Sequence, residues 1–204
     1  MTQNSFEQRP VIIGHRGAAG LVPENTLPGF IAAVEHQVQA VELDVHLCEG
    51  ELVVIHDPTL ERTTSGTGEV GQTPLAVLRA LDAGNGARIP TLSEVFGVLP
   101  ESVGVNVELK GAGTAAPVAE WLPPAGDRAV LISSFDHTEL GSFHALRQDY
   151  PAAPLFSRWR PDAVDVALGF EGGFINLSRK AATAERLERI NAAGLLSLIH
   201  ISEP

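Results

Sequence analysis

The chain contains a single cysteine, Cys48, among its 204 residues, so no disulfide can form within it. A lone thiol also gives no indication of an oxidising compartment, where small proteins rely on paired cysteines. No apolar run is long enough to cross a bilayer, and the first ten residues, MTQNSFEQRP, lack the apolar core of a signal peptide. These absences predict a soluble cytoplasmic protein that does not enter the membrane.

Basic residues are also few. Lys and Arg total 14 against 25 Asp and Glu, the formal net charge is -11, and no basic run occurs. Nucleic acids and anionic membrane surfaces are bound by clustered Lys and Arg, so neither is expected as a partner. A small anionic substrate is still compatible with this charge, because a local group of Arg, Lys and metal can act at short range.

Several nucleotide-binding and nucleophile motifs are missing as well. The sequence has no P-loop, no GxGxxG, no CxxC and no GxSxG. The glycine-rich stretch at 65–68 does not follow an apolar strand, so it does not predict a dinucleotide loop. Hydrophobic residues at 44% and charged residues at 19% are typical of a globular chain, and the length predicts one domain.

Apolar, strand-like runs alternate along the chain with helix-like segments. This rhythm predicts an α/β protein with a parallel sheet, either open and doubly wound or closed as a barrel. We count six strand–helix units, which is short for a barrel of about 250 residues. The predicted strands are 11–14, 41–45, 105–109, 129–133, 154–157 and 173–178, with a hairpin arm at 52–55, and the predicted helices are 23–37 (capped by Asn25), 75–81, one from 92, 115–121, 137–148, 162–168 and 182–193.

Residues 57–90 interrupt this alternation. They are rich in Thr, Ser, Gly and Pro, the residues that favour turns, and they contain one short helical pattern. A long irregular segment is more often functional or mobile than a plain connection.

Three carboxylates lie on two of the predicted strands. Glu42 and Asp44 are two residues apart and therefore share a face, as do Glu108 and Lys110. The alternate positions on both strands are apolar, which indicates that the apolar face packs on helices and the charged face points inward. Buried carboxylates repel one another unless a cation lies between them, and oxygen ligands select Mg²⁺, Ca²⁺ or Mn²⁺.

Two histidines and two cations accompany these carboxylates at strand ends. His15 precedes Arg16, and His56 ends a second apolar run just before Asp57. A pair of histidines can act as general base and general acid for attack on phosphorus. Arg16 and Lys110 suit phosphate oxygens, and a salt bridge to a nearby carboxylate could coexist with that role. Asp57 could orient a histidine or cap a turn.

The remaining histidines are interpreted as structural, on helix surfaces or edges. Among them His46 is set apart, because it shares a strand face with Asp44. The group is His36, His46, His137, His144 and His200.

The segments HRGAAGLVPENTLPGF, VELDVHLCEGELVVIHDPTLERTTSGTG, VNVELKG and ISSF, in this order, closely resemble the glycerophosphodiester phosphodiesterases. The resemblance runs from about Val11 to Ser178. It implies a TIM-type (β/α)8 barrel with its site at the carboxyl ends of the strands. It also implies that residues 57–90, inserted after the second strand, cap the barrel mouth.

The resemblance implies a role for each of the residues singled out above. Metal ligands would be Glu42, Asp44 and Glu108, for Mg²⁺, Ca²⁺ or Mn²⁺. His15 and His56 would be the acid and base, Arg16 and Lys110 would contact phosphate, and Glu24, Asn25 and Thr26 would brace the site.

The implied reaction is cleavage of a glycerophosphodiester to sn-glycerol 3-phosphate and an alcohol. The glycerol 2-hydroxyl would attack phosphorus, and water would open the resulting cyclic phosphate. Two alternatives stay open: a phospholipase D-like lyase that stops at the cyclic phosphate, and a non-catalytic protein that binds lipid headgroups. The oligomeric state is not predicted.

The sequence departs from the family after Gly194. Residues 196–204 resemble the translation of a common transposase sequencing adapter, which predicts a truncated barrel domain over 1–204 with a non-native tail. The alternative is a short variant tail in which Leu198–Ile201 forms a seventh strand.

Overall fold

The computed structural model describes residues 11–200. Seven parallel strands and one antiparallel arm form a single sheet in the order β1-β2-β4-β5-β6-β7-β8, with β3 paired to β2. Helices follow most of the parallel strands, so the α/β prediction of an incomplete (β/α)8 barrel is confirmed. The strands are β1 (Ile13–Gly14), β2 (Ala40–Cys48), β3 (Glu51–Val54), β4 (Gly104–Leu109), β5 (Val130–Ser134), β6 (Ala152–Phe156), β7 (Phe174–Ser178) and β8 (Leu196–His200), and the helices are α1 (Leu27–Glu35), α2 (Leu75–Leu78), α3 (Leu92–Val98), α4 (Ala115–Trp121), α5 (His137–Leu146), α6 (Ala163–Leu168) and α7 (Ala184–Ala192).

The two faces of the sheet carry different residues. Val41, Leu43 and Val45 of β2 point outward into the main core, where they pack with Phe30 of α1 and Val118 of α4. The residues between them point inward, because successive side chains of a strand alternate in direction. The predicted assignment of an apolar outer face and a charged inner face is therefore correct.

The inner face is apolar at its amino-terminal end. Ala40, Leu131, Ala153 and Phe174, from four different strands, form a buried cluster there, with Leu196 packed against it. This cluster closes the bottom of the barrel, so polar inward residues are confined to the carboxyl ends of the strands. All the chemistry is thereby placed at one end of the molecule.

The first helix begins later than predicted, and Asn25 is not its cap. Thr26 is the N-cap, and its hydroxyl accepts a hydrogen bond from the Gly29 amide at 3.2 Å. Asn25 instead has a φ of 55°, a left-handed conformation that Asn tolerates better than most residues. This turn aims the Asn25 side chain away from the helix and into the barrel mouth.

Residues 57–90 form a small layer with a core of its own. The layer contains a 3-10 turn at Val70–Gln72 and the short helix α2. Its apolar residues pack against the face of the β2–β3 hairpin that carries Cys48 and Val53, opposite the face that packs in the main core. That cluster consists of Cys48, Val53, Ile55, Leu60, Val70, Leu78, Ala83 and Ile89.

The structure adds a seventh parallel strand, β8, to the six predicted ones. It pairs with β7 over five residues, from Phe174–Leu196 to Ser178–His200. The tail thus forms a strand, as its alternative interpretation held, although Ile201 and the residues after it lie outside the described part. The non-native origin of 196–204 stays a prediction, which sequencing across the 3′ end of the gene would test. Within residues 11–200, no helix is long and apolar enough to cross a membrane.

The sheet has two edges, β1 and β8, which do not pair with each other within residues 11–200. The longer edge strand, β8, exposes Ile199 at 41%.

Because unpaired edges recruit strands from other molecules, we expect the protein to self-associate as its concentration rises. Ile199→Lys should raise the monomer fraction in analytical ultracentrifugation, since a charge on an edge opposes pairing. Val77→Lys is the control, because Val77 is also apolar and exposed, at 51%, but lies in α2 and away from both edges. Identical monomer fractions in all three proteins would contradict this expectation.

Candidate active site

Three carboxylates meet inside the barrel mouth. Glu42 and Asp44 are on β2, and Glu108 on β4 lies directly beside Asp44 in the parallel register. All three are buried, with exposures of 2%, 0% and 2%. Glu42 Oε1 and Asp44 Oδ1 are buried and accept no hydrogen bond, and Glu108 Oε1 has Lys110 Nζ beside it at 3.0 Å. Three buried anions so close together repel one another, and their charge calls for a cation between them.

Two of these carboxyl groups have raised pKa values, because they are buried next to other anions. Burial, and then the charges of Asp44 and Glu108, raise the pKa of Glu42 well above its ordinary value. Burial and Asp44 also raise the pKa of Glu108, to about 7, despite the opposing effect of Lys110. A divalent cation bound among these oxygens would remove the repulsion, and an all-oxygen donor set fits a hard cation. The residues present therefore fit a Mg²⁺, Ca²⁺ or Mn²⁺ site.

The tightest grouping of candidate ligand atoms includes a residue that was interpreted as structural. Atoms of Glu42, Glu108 and His200 all lie within 4.8 Å of one another. Asp44 is outside that group, and its Oδ2 accepts a hydrogen bond from Asn25 Nδ2 at 2.8 Å and lies 3.5 Å from Arg16 Nε. The placement of His200 on a helix surface or edge is wrong: it ends β8 inside the mouth. The error follows from the unrecognised seventh strand.

Arg16 and Lys110 approach the carboxylates from opposite sides. The Arg16 amide donates to Glu42 Oε2 at 2.9 Å, and its guanidinium donates to Glu24 at 2.8 Å. Lys110 Nζ lies 3.0 Å from Glu108 Oε1 and 5.4 Å from the ring centre of Phe135. Both cations thus adjoin the carboxylate cluster, where they can also reach an anion bound at the mouth.

The two predicted histidines stand at the same mouth but differ in their partners. His15 Nε2 is 3.8 Å from Glu42 Oε2, and its ring meets that of His200 edge to face, with centroids 5.0 Å apart. Burial, with the charge of Arg16, lowers the pKa of His15 to about 4, so the imidazole is neutral at pH 7. His56 Nδ1 instead lies 2.6 Å from Asp57 Oδ1. The structure therefore decides the role left open for Asp57: it orients His56.

Arg62 is a residue that the sequence reasoning missed. Its guanidinium forms two hydrogen bonds to Asp57, at 2.5 and 2.9 Å, and two to Glu24, at 2.8 and 2.9 Å. Since Glu24 also accepts from Arg16, a continuous chain of ion pairs runs from His56 to Arg16. Although burial acts in the opposite direction, hydrogen bonds from Arg62 and the charge of Arg16 lower the pKa of Glu24 to about 2. Arg62 lies in the stretch ERTTSG at 61–66, shortly after His56 and Asp57, and this stretch was the available sequence signal. It does not show which residues Arg62 contacts.

The interpretation of His46 as a histidine on a helix surface or edge is also wrong. It lies on β2, is only 7% exposed, and its Nε2 is 3.1 Å from the His56 carbonyl oxygen. A Cβ at Gly111 would lie 3.0 Å from His46 Nδ1, so the glycine leaves the room that this ring needs. His46 therefore supports the backbone of His56 from below.

The sequence model of the Glycerophosphoryl diester phosphodiesterase family matches residues 15–198. A putative glycerophosphodiester phosphodiesterase of Bacillus subtilis is 36% identical over 161 residues, covering 74% of this chain and 66% of the relative. A glycerophosphodiester phosphodiesterase of Caldanaerobacter subterraneus is 41% identical over 147 residues, covering 65% and 60%. The chain thus spans less than two thirds of the length of these relatives.

Solved structures give the same family. A phosphodiesterase of Oleispira antarctica, solved in complex with the product sn-glycerol-3-phosphate, superposes with a TM-score of 0.88 at 30% identity, over 99% of this chain and 88% of that one. A glycerophosphodiester phosphodiesterase of Agrobacterium tumefaciens has a TM-score of 0.80 at 27% identity, over 95% and 87%. Match length, fold and the shared arrangement of strands agree, and the chain belongs to the glycerophosphoryl diester phosphodiesterase family.

Proposed function

We propose that the protein hydrolyses glycerophosphodiesters to sn-glycerol 3-phosphate and a free alcohol, with the help of a divalent cation. The observation that carries this proposal is the cluster of three buried carboxylates, two of which have an oxygen that accepts no hydrogen bond, flanked by Arg16 and Lys110 and faced by two histidines. Family membership and the product bound to the Oleispira antarctica relative support the substrate class.

The metal would be held by Glu42, Asp44 and Glu108. Each contributes a buried carboxylate at the mouth, and all three come from the neighbouring strands β2 and β4. A bound divalent cation would supply Lewis-acid stabilisation of the charge that develops at phosphorus. Arg16 and Lys110 would hold the non-bridging phosphate oxygens, Arg16 by directed hydrogen bonds and Lys110 as a point charge.

His15 and His56 would move the protons. Asp57 at Nδ1 fixes the orientation of the His56 ring, and we assign His56 as the acid toward the leaving alcohol. His15 would take the proton of the glycerol 2-hydroxyl as that oxygen bonds to phosphorus. The bond to the alcohol oxygen then breaks, and that oxygen takes the proton of His56. In the second step the histidines exchange roles, and water opens the cyclic phosphate.

The experiment that tests this function is product analysis. The protein, supplied with Mg²⁺, Ca²⁺ or Mn²⁺, is incubated with glycerophosphoglycerol, and the products are identified by ³¹P NMR. Glycerol 3-phosphate supports the proposal. A cyclic phosphate that accumulates without opening would make the protein a lyase, and no turnover with any of the three cations would overturn the enzymatic function.

The location and partners of the protein are part of the same proposal. A cytoplasmic location is supported by the single cysteine, and a small-molecule substrate is supported by the net charge of -11, which opposes binding to nucleic acid or to anionic membranes. Fractionation of the native host, with a cytoplasmic marker as reference, tests the location.

Arg62 should act as a positioning residue through Asp57 and Glu24. Arg62→Gln removes the bidentate contacts to both carboxylates, and we expect kcat to fall by roughly 10–100-fold, the usual effect of losing an outer-shell partner. Arg62→Lys should recover little, because an ammonium cannot form four directed hydrogen bonds. Arg88→Gln is the matched control, since Arg88 is exposed, lies in the same segment and makes only one backbone contact. Unchanged kcat in Arg62→Gln would show that the ion-pair chain is only structural.

A further inference from the structure

A pocket of about 520 Å³ lies beside the carboxylate cluster, between the carboxyl ends of β5 and β6. Phe135 forms part of its wall, and the ring of Phe135 is also the one over which Lys110 lies. A single aromatic side chain therefore separates this pocket from the lysine proposed to hold phosphate. No part of the reaction described above uses the pocket.

The other flank of the mouth is already filled. On the side of β1 to β3, the Arg62 guanidinium lies between Asp57 and Glu24 and is hydrogen-bonded to both. A diester bound at the carboxylates has two arms, and the arm that is not glycerol needs room on the opposite flank. The pocket between β5 and β6 supplies that room.

The charges of the pocket favour an anion. Arg158 and Arg160 line it, together with a single carboxylate, Asp136. Asp136 is occupied as the N-cap of α5, where it accepts hydrogen bonds from two backbone amides. Arg160 is paired with the exposed Asp162, whereas Arg158 is exposed and has no ion pair within residues 11–200. Arg158 is thus the cation of the pocket that is open to a ligand.

The aromatic surfaces of the pocket disfavour a cation. A quaternary or primary ammonium is usually recognised by the face of an aromatic ring. Here the ring of Phe135 already has Lys110 at 5.4 Å, and the ring of Phe156 has the Arg160 guanidinium at 5.9 Å. A positively charged alcohol would meet these cations instead of a free ring.

We propose that this pocket binds the leaving alcohol and selects diesters whose alcohol carries an additional anionic group, a phosphate or a carboxylate, through Arg158. The inference rests on the proposed function, because it assigns the second arm of the same substrate. It predicts a preference among diesters that differ only in the charge of the alcohol.

The test compares glycerophosphoinositol 4-phosphate with glycerophosphoinositol, which have the same alcohol with and without one phosphate, and with glycerophosphocholine as the cationic case. We expect kcat/KM to be about two to five times higher for the phosphorylated diester, the range of a solvent-exposed charge contact, and lowest for the choline diester. The preference should shrink in high salt, because the pocket is open to solvent. Equal or lower kcat/KM for the phosphorylated diester would overturn the inference.

Variants separate this inference from the proposed function. Arg158→Gln should remove the preference by lowering kcat/KM for the phosphorylated diester toward that for glycerophosphoinositol, and Arg158→Glu should reverse the preference. Arg88→Gln, the same charge change outside the pocket, should keep the wild-type ratio. A ratio that Arg158→Gln leaves unchanged would count against the pocket even if all diesters are hydrolysed.

Binding provides a readout that does not depend on turnover. Calorimetry of the two inositol diesters with the His56→Ala variant, in the presence of Mg²⁺, measures the same difference in affinity. Tighter binding of the phosphorylated diester, lost in the His56→Ala, Arg158→Gln double variant, supports the inference. Equal affinities overturn it, whether or not the wild-type protein is an enzyme.

Discussion

Glu42→Gln, Asp44→Asn and Glu108→Gln should each lower kcat/KM by at least about 10²-fold, because each removes an anionic oxygen from the proposed cation site. Loss of metal-assisted charge stabilisation costs several kcal/mol in the transition state, and each 1.4 kcal/mol corresponds to a factor of ten. The substitutions keep size and shape, so packing is preserved. Glu120→Gln, on the exposed face of α4, is the control and should leave activity unchanged.

The same variants should lose cation-dependent stabilisation. A ligand that binds only the folded state raises stability by about 2.7 kcal/mol at a concentration of one hundred times its Kd. We therefore expect Mg²⁺, Ca²⁺ or Mn²⁺ to raise the Tm of the wild-type protein and of Glu120→Gln, but to have little effect on Glu42→Gln. Chelation should abolish the activity reversibly. Full turnover in excess chelator would refute the metal assignment.

The raised pKa of Glu108 adds a pH dependence to the metal-free protein. Folding raises this pKa from 4.5 to about 7, so the folded state binds the proton more tightly than the unfolded state does. The contribution of Glu108 to stability is complete below about pH 4.5 and is lost as the pH rises through 7. In Glu108→Gln this loss should be absent, and a saturating divalent cation should suppress it in the wild type. The Tm of the metal-free wild type is compared with that of metal-free Glu108→Gln from pH 5 to pH 8. If the difference between them stays constant, the pKa of Glu108 is not the origin of the pH dependence.

His15→Ala and His56→Ala should each lower kcat by roughly 10²–10⁴-fold, the usual range for loss of a general acid or base. The two variants should respond differently to the leaving group. A diester whose alcohol is a good leaving group, such as a nitrophenol, needs no proton from an acid. It should therefore restore much of the turnover of His56→Ala and little of that of His15→Ala.

His36→Ala and His144→Ala are the controls for this prediction. His36 is exposed at the end of α1, and His144 lies on α5, on the outer side of the barrel. Both should turn over glycerophosphoglycerol at nearly the wild-type rate. Rescue of His15→Ala in place of His56→Ala would exchange the two roles, and wild-type kcat in both alanine variants would reject the acid–base mechanism.

Strand periodicity made much of the site readable from sequence. Glu42 and Asp44 are separated by one apolar residue, and a period of two places both on one face whatever the rest of the chain does. Helix positions also depend on neighbouring residues. An example is α3, which begins at the capping box formed by Thr91 and Glu94. Such patterns depend only on neighbouring residues, so a single sequence contains them.

Only the tertiary structure decided the contacts between distant segments. Arg62 reaches Glu24 across 38 positions, and the path of residues 57–90 that brings it there leaves no periodic signal. Asn25 looked like a helix cap until its left-handed backbone turned it toward Asp44. His200 entered the mouth because β8 pairs with β7, although its sequence showed no family pattern. Sequence alone determined which faces are charged, because that follows from backbone geometry. Which charged groups meet was decided by chain packing, because a loop's course depends on everything it packs against.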